Sequence, residues 1–104
     1  MTSDDDLAAL ARRSAAVISS HQHAGGAYPA SPAFPVYRYS WFRDGSFIAD
    51  AMSRVGFGGS ADSFFGWCAR IITDRAAQID GLVARAAAGE AVPVHEHLPT
   101  RFTL

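Results

Sequence analysis

Lysine is absent from this 104-residue chain, so all nine of its basic residues are arginine. Glutamate is nearly as scarce: Glu90 and Glu96 are the only two. The formal net charge is −1, and only 18% of residues are charged. No basic face is therefore available to neutralise phosphates, which argues against a nucleic-acid partner. A single cysteine, Cys68, cannot form an internal disulfide. No apolar run approaches the roughly 18 residues needed to span a bilayer. The start, MTSDDDLAAL, also lacks the basic and apolar regions of a secretory leader. With Met1 as the true start, these absences point to a cytoplasmic address and to no membrane partner.

What remains is the composition of an ordinary globular domain, 49% hydrophobic, in a length that allows one domain at most. Residues 4–20 read as an amphipathic helix, with Leu7, Leu10, Ala11, Ser14, Val17 and Ile18 on one face. Asp4, Asp5 and Asp6 stand at its start, where negative charge favours the helix dipole. Residues 21–40 are broken by Gly25, Gly26, Pro29, Pro32 and Pro35, so no regular helix runs through them. Yet Tyr28, Phe34, Tyr37 and Tyr39 make the stretch too aromatic for a solvated linker. A second helix is expected from Asp44, acting as its cap, to Val55, ending at Gly56. A third, long helix is expected over residues 60–88, weakened but not stopped by Gly81 and closed at Gly89. The tail, AVPVHEHLPTRFTL, is extended in character. The pattern predicts an all-α architecture of about three helices with a long aromatic, Pro/Gly-rich loop.

The chemistry concentrates in Tyr37 to Met52, YRYSWFRDGSFIADAM. In extended backbone, alternate residues project to one side, so Tyr37, Tyr39, Trp41 and Arg43 are placed to line one wall. Aromatic faces cover the apolar C–H side of a pyranose ring, while Arg43 and Asp44 offer hydrogen bonds to its hydroxyls. Hydrogen bonds to charged groups contribute about 1.5–3 kcal/mol each. The bland alternative is that Asp44 only caps a helix, Arg43 is its surface neighbour and the aromatics are packing.

That segment resembles the tyrosine-x-tyrosine-x-tryptophan-x-arginine-aspartate stretch of glycoside hydrolase family 15, which includes glucoamylases, glucodextranases and trehalose-cleaving enzymes. The similarity continues upstream in GGAYPASP and downstream in SADSFFGWCARII and LPTRFT, covering residues 7–104. It implies that residues 1–104 form the first part of an (α/α)6 barrel whose pocket lies at the N-terminal ends of the inner helices. It also implies that Arg43 and Asp44 bind the non-reducing-end glucose in subsite −1. Tyr37 matches a tyrosine beneath that sugar and Trp41 a tryptophan of the pocket wall; Tyr39 fits the motif without a contact of its own. The β-sandwich domain that precedes the barrel in many prokaryotic members is expected to be absent.

The reaction implied is inverting hydrolysis of an α-glucosidic linkage (1,4, 1,6 or trehalose) in an α-glucan or glucoside. It needs a carboxylic acid and a carboxylate roughly 6.5–9.5 Å apart. In the family both are glutamates well beyond this segment, and neither Glu90 nor Glu96 matches them. The chain alone is thus expected to be inactive, and helix faces lacking their neighbours to favour self-association. His21/His23 and His95/His97 are His-x-His pairs of a kind zinc accepts. Nothing in the sequence brings the pairs together, so no metal or cofactor is expected. Cys68 stands at helical spacing from Phe64, Phe65 and Ile72 and reads as a buried small hydrophobe rather than a nucleophile. The competing function is a small helical interaction module without catalytic activity.

Overall fold

The computed structural model describes residues 3–31 and 39–104. Helix α1 spans Asp4–Ser20, strand β1 Tyr39–Trp41, helix α2 Phe42–Arg54, helix α3 Gly58–Asp74 and helix α4 Ala76–Ala87. A single 3-10 turn follows at Val94–Glu96, then strand β2 at Arg101–Thr103. The architecture is all-α, with one two-stranded ribbon added.

Helix α1 begins as its first turn requires. Ser3, rather than the aspartate run alone, starts it through a reciprocal capping box. The Asp6 N–H donates to Ser3 Oγ at 3.1 Å and the Ser3 N–H to Asp6 Oδ2 at 3.4 Å. Its apolar stripe is only partly used. Ala15 is buried and Ile18 packs on the core, but Leu7, Leu10 and Val17 remain about half exposed.

The loop after α1 is fastened to the start of α3. Gln22 Nε2 donates to the carbonyls of Gly26 and Ser60 at 2.8 and 2.9 Å, and Ser60 Oγ returns a bond to Gln22 Oε1 at 2.7 Å. Tyr28 is buried, stacks on Phe64 with ring centroids 5.3 Å apart, and brings its hydroxyl within 2.6 Å of Ser60 Oγ. Arg70 reaches back to the Gly25 carbonyl. The loop is thus packed at Gly26, Ala27 and Tyr28, while His23, Ala24 and Ala30 stay exposed.

Phe64 is the centre of the core, fully buried together with Met52 and Ala49, and ringed by Ala61, Tyr28 and Ala15. Two glycines make room for these contacts. A Cβ on Gly45 of α2 would lie 2.3 Å from the Phe64 ring. A Cβ on Gly26 would lie 2.0 Å from the Ser63 carbonyl oxygen, and Gly26 has φ of +107°, a region that side chains disfavour.

Two expectations need correction. Helix α2 begins at Phe42, with Trp41 as its N-cap residue and no side-chain cap. Asp44 therefore sits within the first turn, where its charge still favours the dipole, and does not cap the helix. The expected long third helix is two helices. The break falls at Arg75 (φ −106°, ψ 12°), not at Gly81, which stays inside α4. At this break the Arg75 guanidinium lies 5.2 Å from the ring centroid of Phe102 in β2. The tail is extended as its sequence implies, and its end forms sheet. β2 pairs antiparallel with β1, Tyr39 opposite Thr103, Ser40 opposite Phe102 and Trp41 opposite Arg101.

Helix α4 has no buried residue. What anchors its C-terminal end is Arg85, which grips both glutamates of the chain. Nε and Nη2 donate to Glu90 at 2.9 and 3.0 Å, while Nη1 and Nη2 donate to Glu96 at 3.1 and 3.0 Å. Hydrogen bonding from Arg85 holds both carboxyls below their ordinary range and raises the guanidinium further. Large side chains stay open elsewhere, including Phe47 on α2 at 74% exposure and Val83 on α4 at 62%. The radius of gyration is 17.4 Å, well above the about 13 Å of a compact domain of this length.

These contacts set two expected outcomes in the complete polypeptide that carries this chain. Gly26→Ala should lower stability by more than about 1 kcal/mol and Gly45→Ala by about 1–3 kcal/mol. Denaturant midpoints check both, and unchanged midpoints would remove the close approach. Because Glu90 and Glu96 bind protons more weakly when folded, the clamp's stabilisation is present above the ordinary carboxylate pKa. It is lost as pH falls through their lowered folded values. Between about pH 6 and about pH 3 the wild-type thermal midpoint should therefore fall more steeply than that of Arg85→Met. Equal slopes would exclude the clamp.

Candidate functional site

The candidate site is built at the junction where β1 becomes α2. Trp41 closes the strand and caps the helix, so Phe42, Arg43 and Asp44 are the first helical residues. Their backbone N–H groups belong to the unpaired first turn, where partial positive charge gathers.

The strand alternates as its sequence implies. Ser40 is fully buried on one side, and its hydroxyl has no partner among the described residues. Tyr39 and Trp41 project to the other side. The alternation ends at Trp41, and Arg43 reaches the site by a different route, from the helix. Its guanidinium lies 5.9 Å from the Trp41 ring centroid, and its Nε donates to Asp44 Oδ1 at 3.1 Å. Trp41, Arg43 and Asp44 are thereby brought together. Tyr39 is engaged elsewhere, under the guanidinium of Arg101 at 4.2 Å. Tyr37 lies outside the described residues.

The Arg43–Asp44 pair is open, with side-chain exposures of 74% and 41%. Exposed pairs contribute little to stability, about 0–1 kcal/mol. Their donors and acceptors are instead available to a polar ligand. Phe42, between them and Trp41, turns inward to an aromatic cluster. Its ring centroid lies 5.6 Å from Trp67 and 5.1 Å from Phe102. This cluster supports the junction from beneath.

A cavity of about 370 Å³ opens beside these residues, lined by Trp41, Phe42, Arg43, Pro99 and Thr100. Pro99 and Thr100 were not singled out from the sequence. Their contribution depends on the β1–β2 pairing, and the extended, proline-bearing tail was the only local signal of it.

The remaining candidates have other partners. Glu90 and Glu96 are both engaged by Arg85, and their carboxyls are shifted downward, the wrong direction for a proton donor. Nδ1 of His21 lies 2.9 Å from the Val17 carbonyl, His23 Nδ1 accepts the Gly25 N–H at 3.0 Å, and His97 Nε2 lies 3.1 Å from the Val92 carbonyl. Among the described residues, no group of three or more His, Cys, Asp or Glu side chains is placed to hold a metal ion. Cys68 is half-buried against the core, and burial pushes its thiol up, away from the thiolate a nucleophile needs. No helix among the described residues is long and apolar enough to cross a membrane.

Known proteins resemble this chain over most of its length. Isomaltose glucohydrolase of Kribbella flavida is 53% identical over 96 residues, which are 90% of this chain and 25% of that protein. A solved wild-type glycosidase and a variant of a glycosidase in complex with glucose each match with a TM-score of 0.88 at 46% identity. Each match covers 99% of this chain and 29% of the solved one. The chain thus spans about a quarter of the length of its curated relative, and its helices are part of an (α/α)6 barrel. Residues 5–92 match the family of glycosyl hydrolases family 15, and the chain belongs to that family.

Proposed function

We propose that the protein carrying this chain hydrolyses an α-glucosidic bond and releases glucose from a non-reducing end, with inversion of configuration. The chain's share of that work is to hold the terminal glucose in subsite −1. Trp41 covers the apolar side of the ring, Arg43 and Asp44 hydrogen-bond its hydroxyls, and Tyr37 completes the pocket by family resemblance. The observation that carries this reading is the open Arg43–Asp44 pair beside Trp41 at the head of α2. That arrangement leaves donors and acceptors open beside an aromatic face, which suits the hydroxyls and C–H face of a sugar ring.

The named relative acts on isomaltose and a solved relative holds glucose, which makes isomaltose the first substrate to try. The acid and base of the reaction are not Glu90 and Glu96, which Arg85 occupies. The 104-residue chain alone therefore binds without turning over. Its exposed Leu7, Leu10, Phe47 and Val83 favour association with further copies.

In the complete polypeptide, Asp44→Asn and Arg43→Lys should each lower kcat/KM for isomaltose by about 10²-fold, because both contacts position the sugar as the transition state forms. Steady-state kinetics check this, and near-normal values in both variants would exclude the site. The 104-residue chain alone should hydrolyse neither isomaltose, maltose nor trehalose and should bind hydrophobic dyes. Measurable turnover, or a monomeric cooperative thermal transition, would overturn this account of the chain.

A further inference from the structure

The cavity beside Arg43 has two walls, and only one has been given a task. Trp41, Phe42 and Arg43 form the first; Pro99 and Thr100, from the far end of the chain, form the second. At about 370 Å³ the space is within the roughly 300–1,000 Å³ typical of small-molecule sites.

The second wall is held from both sides. Before it, Arg85 fixes Glu96 through two hydrogen bonds of 3.0 and 3.1 Å. After it, Arg101 pairs with Trp41 across the ribbon and lies over Tyr39. Phe102 then packs edge-on against Trp67, its centroid 5.7 Å away, beneath the Arg75 guanidinium. A loop tip with no role has no need of anchors on each flank. Proline at position 99 fixes one backbone angle and adds stiffness. Threonine at position 100 adds a hydroxyl that both donates and accepts.

Resting on the glycosidase reading above, we propose that Pro99–Thr100 is a substrate-facing wall. On it, Thr100 hydrogen-bonds a sugar hydroxyl, and the size of residue 100 limits which glucosides enter. Arg85 acts through that wall as a positioning residue. Arg43 lines this cavity and Asp44 does not, so the wall faces the Trp41–Arg43 side of the bound sugar.

The test uses the complete polypeptide with isomaltose as substrate and glucose as a binding probe. Thr100→Val keeps the shape and removes the hydroxyl. It should raise KM about 3- to 10-fold with kcat little changed, the signature of lost uniform binding. Thr100→Trp should fill the cavity and weaken both turnover and glucose binding more than 10-fold in protein whose cooperative thermal transition shows it folded. Arg85→Lys should raise KM in the same direction. Combined with Thr100→Val it should add less than the two single effects together, as expected of residues acting through one contact. A purely structural Arg85 would give additive losses. Wild-type KM and glucose affinity in both Thr100 variants would overturn the proposal. If those variants are normal while Arg43→Lys and Asp44→Asn are impaired, only this wall is excluded. If all four are normal, the sugar site itself is excluded.

Discussion

At Gly45 the backbone of α2 rests directly on the ring of Phe64, closer than any side chain would permit. That approach sets the position of everything that follows. Gly45 immediately succeeds Asp44, so the contact that packs α2 on α3 also fixes the height at which the Arg43–Asp44 pair emerges. The same ring receives Tyr28 on another side and touches Trp67, which in turn supports Phe42 and Phe102. Loop and helix therefore meet at Phe64, and the ribbon joins them through Trp67. Interiors packed this densely transmit small volume changes. A methyl group at Gly45 would be felt one residue away, at the head of the candidate site.

The division between what sequence reveals and what it conceals follows the range of the interactions. Helix periodicity is local, and α1, α2 and the start of α3 are readable from it. So is the end of α2 at Gly56, where φ is +94°. The break at Arg75 is not local. Thr73, Asp74 and Arg75 carry no breaker, and the bend coincides with a cation–π contact to Phe102 in a strand far along the chain. The same holds for the cap of α2. Asp44 is a good cap by type, but the strand pairing carries Trp41 into that position and sets the helix start two residues earlier. The whole apolar stripe of α1 was legible as a stripe, but what would cover Leu7 and Leu10 was not, and both stand open.

The site was legible to a similar degree. The sequence names which residue types meet, but aromatics beside an arginine–aspartate step also suit plain packing and a helix cap, and only the family resemblance points to a sugar. It does not announce how they meet. Extended backbone alone would place Arg43 two steps along a wall from Trp41. The strand-to-helix junction instead folds Arg43 back toward the Trp41 ring and against Asp44. The junction does what a continuous strand cannot, gathering apolar face, cation and carboxylate around one helix start.

Carboxylate chemistry makes the last distinction. A glycosidic oxygen leaves readily only when a carboxylic acid protonates it, so the acid must hold its proton near neutral pH, which requires a raised pKa. In Glu90 and Glu96 the shift runs the other way, because each accepts hydrogen bonds from a guanidinium that stabilises the ionised form. Removing Arg85 would release those carboxyls without making them acids, since both lie at the surface and would be solvated. In the proposed reading the chain's contribution is therefore geometric. Orienting a bound sugar replaces translational and rotational entropy that the reaction would otherwise supply at the barrier, a saving that reaches about 7–11 kcal/mol in favourable cases. Residues that only hold can thus matter to rate as much as residues that exchange protons. In the proposed reading the holding falls to an open ion pair that contributes almost nothing to stability.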